Sequence, residues 1–134
     1  MKVFVSQPMR GYTEEEILKR RNSIENALKD RYGEENIEIM DSYFKDFEES
    51  MMEKGTNKGL WYLGKSLQMI AKADIIVLCD TEYGARGCEI EAHAAREYGP
   101  FLMISERSLY DGDWSKIPHR EEVACCELQS PYIG

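Results

Sequence analysis

At 134 residues the chain has the length of one ordinary domain, spanning residues 1–134 and able to bury about two thirds of its unfolded surface. A formal net charge of −8 opposes a nucleic-acid backbone, so a small ligand is the expected partner and a nucleic-acid polymer is not. No apolar run reaches membrane length and the N-terminus opens directly as a strand, which reads as a cytosolic, membrane-free protein. Its four cysteines, Cys79, Cys88, Cys125 and Cys126, are then reduced and lack ligand-like spacing, so neither disulfides nor a metal is expected.

In chain order, Lys2 to Ser6 is a short apolar strand, and Gln7-Pro8-Met9-Arg10-Gly11-Tyr12 interrupts it as a loop. Thr13-Glu14-Glu15-Glu16 has the form of a capping box. Ile17, Ile24, Ala27 and Leu28 then recur at helical spacing, predicting a helix from Thr13 to Tyr32 that Gly33 stops. Asn36 to Met40 alternates like a strand. The stretch from Asp41 to Glu53 is polar and aromatic with partial helical character, and its Tyr43, Phe44 and Phe47 suit core packing better than a ligand box. Leu60, Leu63, Leu67 and Ile70 predict a helix from Trp61 to Lys72, which leads into a strand from Asp74 to Cys79. A glycine-bearing loop and a helix carrying Glu91 follow, then a strand from Pro100 to Ile104 and a short helix around Glu121 to Cys126.

Strands alternating with helices imply an α/β protein with a parallel sheet, right-handed crossovers and helices on both faces. The near-continuous apolar run Ile75-Ile76-Val77-Leu78-Cys79 fits a strand buried on both sides. The first loop lacks a dinucleotide-type glycine pattern, and there is no Gly-Lys-Ser/Thr phosphate loop. His93 and His119 stand without metal-like company, and a surface helix position accounts for His93. Ser6 and Ser66 lack the setting of a nucleophile elbow.

Open α/β sheets bind ligands beyond the carboxyl ends of their strands, and this makes Glu91 the first residue to question. On its helix, Gly87, Glu91, Ala94, Ala95 and Tyr98 make a small-residue stripe, while Glu89, His93, Arg96 and Glu97 make a polar one. A carboxylate on the less polar side faces the sheet or a cleft above it, and partial desolvation there raises its pKa. From the residues alone two roles stand side by side: a nucleophile or general base, and a solvated or Arg-paired Glu at the edge of an amphipathic helix. Arg10 offers a planar set of donors for a 5′-phosphate or a base carbonyl, or is a solvated loop arginine.

The order Ser6-Gln7-Pro8-Met9-Arg10-Gly11 at a strand end, Ala73-Asp74-Ile75-Ile76-Val77, and Gly87-Cys88-Glu89-Ile90-Glu91 followed by Gly99 resembles the nucleoside 2-deoxyribosyltransferase-like superfamily. The resemblance runs from about Lys2 to Ile104. It implies a flavodoxin-like, three-layer fold, a homo-oligomer whose site is closed by a neighbouring subunit, and no cofactor. It also implies that Glu91 attacks or stabilises the anomeric carbon of a deoxyribosyl group and releases the base. The loop Ser6, Pro8, Met9, Arg10 and Gly11 is similar to the phosphate-holding loop of the related deoxynucleoside monophosphate N-glycosidases, which makes hydrolysis the nearer variant. Asp80, Arg86 and Gly87 on the second loop complete the implied substrate-binding set. The family carries two further acids where this chain has Ser66 and Ala85, with Asp80, Glu82 or Arg86 as substitutes. A non-catalytic nucleoside- or nucleotide-binding module of the same fold is the alternative.

Overall fold

The computed structural model describes residues 1–41, 52–79, 85–99 and 102–111. Within them four strands, β1 (Lys2–Ser6), β2 (Glu38–Ile39), β3 (Ile75–Leu78) and β4 (Leu102–Ser105), form one sheet in the order β2-β1-β3-β4. Every pairing is parallel: Val3 lies opposite Ile39 and Ile75, and Ile76 opposite Met103. Four helices accompany them, α1 (Glu14–Tyr32), α2 (Lys58–Ile70), α3 (Arg86–Tyr98) and α4 (Glu106–Tyr110). The result is the expected three-layer α/β arrangement, consistent with a flavodoxin-like fold. None of the described helices is long and apolar enough to cross a membrane.

The two-residue period of the strands sorts their side chains between the layers. Val3 and Val5 of β1 pack with Ile75 and Val77 of β3 against Ile24 and Leu28 of α1 and Leu109 of α4. Phe4 and Ile76, one residue out of phase, face the other way, against Leu67 and Ile70 of α2 and Ala95 of α3. Ile75, Ile76 and Val77 are all fully buried, each burial contributing roughly 1.5–3 kcal/mol. A strand buried on both faces has no place for a polar side chain until it ends.

The chain leaves β1 for β2 through α1, then returns past β1 to β3 through α2. Crossovers of one hand that reverse direction must lie on opposite faces, which accounts for α1 on one side and α2 and α3 on the other. The reversal places a crevice between the carboxyl ends of β1 and β3. At the opposite end Asp74 fixes the same pair of strands, its Oδ2 accepting the Lys2 amide at 2.7 Å and its own amide donating to the Lys2 carbonyl at 2.8 Å.

The capping box forms as read: the Thr13 hydroxyl accepts the Glu16 amide, and the Glu16 carboxylate accepts the Thr13 amide, both at 3.1 Å. Other boundaries move. The second helix begins at Lys58 because Asn57 caps it through the Leu60 amide at 3.0 Å, and it ends at Ile70, not Lys72. Leu60, expected on its apolar stripe, is 66% exposed, in a first turn of α2 that is exposed throughout. Strand β2 shrinks to two residues because Glu34–Asn36 is a 3-10 turn, in which the Asn36 side chain donates to the Tyr32 carbonyl at 2.8 Å. The helix α4, which follows β4 directly, was not expected. Tyr43, Phe44, Phe47, His119 and the short helix around Glu121 to Cys126 lie outside the described residues.

Candidate active site

Ser6 is the last residue of β1 and has the phase of Phe4, so its side chain points to the α2/α3 side of the sheet at the crevice. The Cys79 amide donates to the Ser6 carbonyl at 3.0 Å, extending the β1/β3 ladder to this point and fixing the Ser6 backbone. Its hydroxyl donates to Oε2 of Glu91 at 2.7 Å. Glu91 itself is 9% exposed, one and a half turns into α3. A second hydroxyl, that of Ser66, lies on the buried side of α2 and acts on the same carboxylate. Burial pushes the Glu91 carboxyl above its ordinary value, and the Ser6 and Ser66 hydroxyls oppose the shift by favouring the anion. Cys88, one turn before Glu91, has its thiol pushed up by burial, with the Ser6 hydroxyl opposing the shift, so it stays neutral at pH 7.

The phase of α3 differs from the reading in one respect. Glu91, Ala92 and Ala95 are the buried positions and Cys88 is half-buried, whereas Gly87 is exposed and Tyr98 is 68% exposed. The stripe is rotated by about one residue because alanine and glycine carry too little apolar contrast to orient a helix without its neighbours. Glu91 lies on the inward side in either phase.

The loop after Ser6 is rooted on the other face. Gln7, with the phase of Val3 and Val5, donates to the Ile17 carbonyl at 3.2 Å and accepts from Nε of the buried Arg21 at 3.3 Å. Pro8 and Met9 are half-buried, and Met9 to Tyr12 closes a turn through the Tyr12 amide and the Met9 carbonyl at 3.1 Å. Gly11 occupies its third position at φ 87°, the left-handed value a type II turn requires. A Cβ there would meet nothing within 4 Å, so any penalty is conformational. Gly11→Ala is expected to cost roughly 1 kcal/mol in urea unfolding and Gly11→Asn less, because asparagine tolerates this region. Equal losses for the two would reject the turn assignment.

The turn presents Arg10 to solvent, with no ion pair among the described residues. Arg86 and Gly87 are exposed in the first turn of α3, ahead of Glu91, and Asp80 lies outside the described residues. Among the described residues no hydrogen bond or ion pair joins Arg10, Arg86 or Gly87 to Glu91. The structure thus unites Ser6 with Glu91 and adds Ser66 and Cys88, neither of which the motifs tie to Glu91. One signal was available for Ser66: it falls three residues after Leu63 and four before Ile70, a hydroxyl on an apolar helix face.

A second buried carboxylate supplies the contrast. Glu106, at the start of α4, is held by Arg20 of α1 through Nε at 2.8 Å and a terminal guanidinium nitrogen at 2.7 Å. Among the described residues Glu91 has the Ser6 hydroxyl as a partner and no cationic one. A carboxylate buried for structure alone is normally paired, because desolvating an unpaired charge is costly. Fold and site together define a doubly wound parallel α/β protein with a buried carboxylate at its topological switch point that has no cationic partner among the described residues. Compared with protein-family models, with curated proteins and with solved structures, the chain finds no match in any of the three.

Proposed function

We propose that the protein cleaves or transfers the N-glycosidic bond of a (deoxy)nucleoside or its 5′-monophosphate, with Glu91 as the carboxylate that meets the anomeric carbon. The observation that carries this reading is a buried Glu91 that accepts the Ser6 hydroxyl and, among the described residues, has no cationic partner, at the crevice where a sheet of this topology binds ligands. Breaking the C1′–N bond sends its electron pair to the departing base and leaves an oxocarbenium-like carbon. The Glu91 anion captures that carbon as an ester, or stabilises it, and water or a second base then attacks C1′ and frees the carboxylate. Hydrolase and transferase differ only in that acceptor. The reading extends to a cytoplasmic homo-oligomer acting in nucleotide metabolism without a cofactor.

Arg10, exposed on the turn that leaves Ser6, is assigned to the 5′-phosphate. Arg10→Ala is expected to weaken a deoxynucleoside 5′-monophosphate by roughly 1.5–3 kcal/mol, the loss of a charge-assisted bond, and the parent nucleoside far less. Calorimetric titration of both ligands measures the difference, and equal losses would move Arg10 to the base or to loop support.

The deciding experiment is chromatographic detection of free base from a panel of deoxynucleosides and their 5′-monophosphates. Release supports the glycosidic reading. Ser66 at a family acid position favours a second one, a binding module without turnover, since a serine there cannot protonate a leaving base. Thermal stabilisation by panel members with no base released would select it.

A further inference from the structure

We propose that Ser6 and Ser66 are positioning residues for Glu91, two hydroxyls delivered by β1 and α2 that orient the carboxylate of α3 and hold it as an anion at the end of the sheet. The inference rests on the glycosidic reading for its role in catalysis, but its geometry does not. Ser6 is 1% exposed and Ser66 is 8% exposed, so neither hydroxyl serves solvent. Each stands where its element otherwise buries apolar groups, Ser6 in phase with Phe4 and Ser66 beside Leu67 and Ile70. A buried hydroxyl must find a partner or incur a desolvation cost: Ser6 finds Glu91 at 2.7 Å, and Ser66, on the buried side of α2, is assigned the same partner.

The direction of the bonds decides what they do. A hydroxyl has one proton to give, and an ionised carboxylate accepts from both serines at once, whereas a protonated one must spend its own proton as a donor. Two donors on one carboxyl group therefore favour the anion. The titratable groups on the surrounding elements do not replace them. Lys2 of β1 and Lys58 of α2 are exposed, Lys65 of α2 sits over the Trp61 ring at 5.2 Å, and Arg86 and Glu89 of α3 are exposed. The described stretch of β3 carries no titratable group. Cys88 is the titratable group electrostatically coupled to Glu91, and as a neutral thiol it contributes no charge.

The test is a carboxyl-carbon NMR titration of Glu91 in the free protein, its resonance assigned by its loss in Glu91→Gln. Ser6→Ala and Ser66→Ala should each raise the Glu91 midpoint by about one pH unit, the size expected for losing a hydrogen bond to a charged group. Ser66→Thr, which keeps the hydroxyl, should titrate like the wild type, and this conservative rescue separates a hydroxyl effect from general loosening of α2. Where turnover is present, the acid limb of kcat/KM should move upward with the midpoint. An unmoved midpoint in a folded Ser66→Ala variant overturns the proposal, and so does a raised midpoint in Ser66→Thr. The titration needs no substrate, so a wild type that releases no base would end the glycosidic reading while leaving this result standing. Unmoved midpoints in an active enzyme would do the reverse.

Discussion

Glu91→Gln is expected to reduce base release by about 10³-fold or more, the scale of losing a nucleophile or ionised stabiliser, while the protein melts no lower than wild type at neutral pH. Glutamine keeps the side-chain shape and an oxygen to accept the Ser6 hydroxyl, so the packing of α3 on the sheet survives. The stability expectation follows from the raised pKa of the folded state. Because the folded protein holds the Glu91 proton more tightly than the unfolded chain does, the group's contribution to stability is fully present below the unfolded value. It is lost as pH rises through the folded one. Above that window the wild type carries a buried anion at a cost, and Glu91→Gln does not. Activity assays paired with melting curves on either side of the ordinary carboxylate range measure both effects. Wild-type turnover in Glu91→Gln would remove Glu91 from the mechanism. Glu89→Gln is the control: Glu89 is exposed and lies on the far side of α3, so it should change neither quantity.

Arg20→Ala is expected to destabilise the fold by roughly 3 kcal/mol, the low end for breaking a buried pair, because Glu106 is 8% exposed and would be left without its cation. The helix it starts has five residues, too short to persist on propensity, so α4 depends on Arg20 and on the burial of Leu109. Cys79 offers no replacement. Burial, with the Glu106 charge behind it, pushes its thiol up to about 12. Replacing both partners with apolar residues, as in an Arg20→Met, Glu106→Leu double variant, should recover much of the loss, since no orphaned charge remains. Urea unfolding of the singles and the double completes the cycle, and a loss under about 1 kcal/mol for Arg20→Ala would class the pair with ordinary surface ion pairs.

What could be read from the residues, and what could not, follows the range of the forces involved. The capping box at Thr13 and the doubly buried run at Ile75 are local patterns, and both formed as read. Helix α4 escaped notice because Ser105 to Tyr110 has one capping serine and no repeating apolar period, and its support comes from Arg20, a residue of α1. Glu91 was identifiable from its place after a strand-end loop. Its partners were not, because the convergence of Ser6, Ser66 and Glu91 is a product of the strand order β2-β1-β3-β4 and has no local signature. The rotation of the α3 stripe has the same origin: the packing of Ala92 and Ala95 is set by α2 and the sheet, not by the alanines.

Asp74 binds the Lys2 amide across 72 residues of chain, and Ser6 reaches Glu91 across 85. No hairpin joins any two of the described strands, so none of their pairings forms without closing a long loop first. Such a topology folds on a slower timescale than a helical bundle of this size, because long loops must close before the strand contacts repay the lost chain entropy. The buried setting of Glu91 is consequently assembled by a contact between residues 85 apart in the chain. A nascent or partly unfolded chain carries Glu91 as an ordinary, hydrated acid, and the carboxylate becomes buried and bound to Ser6 only when β1, β3 and α3 have come together.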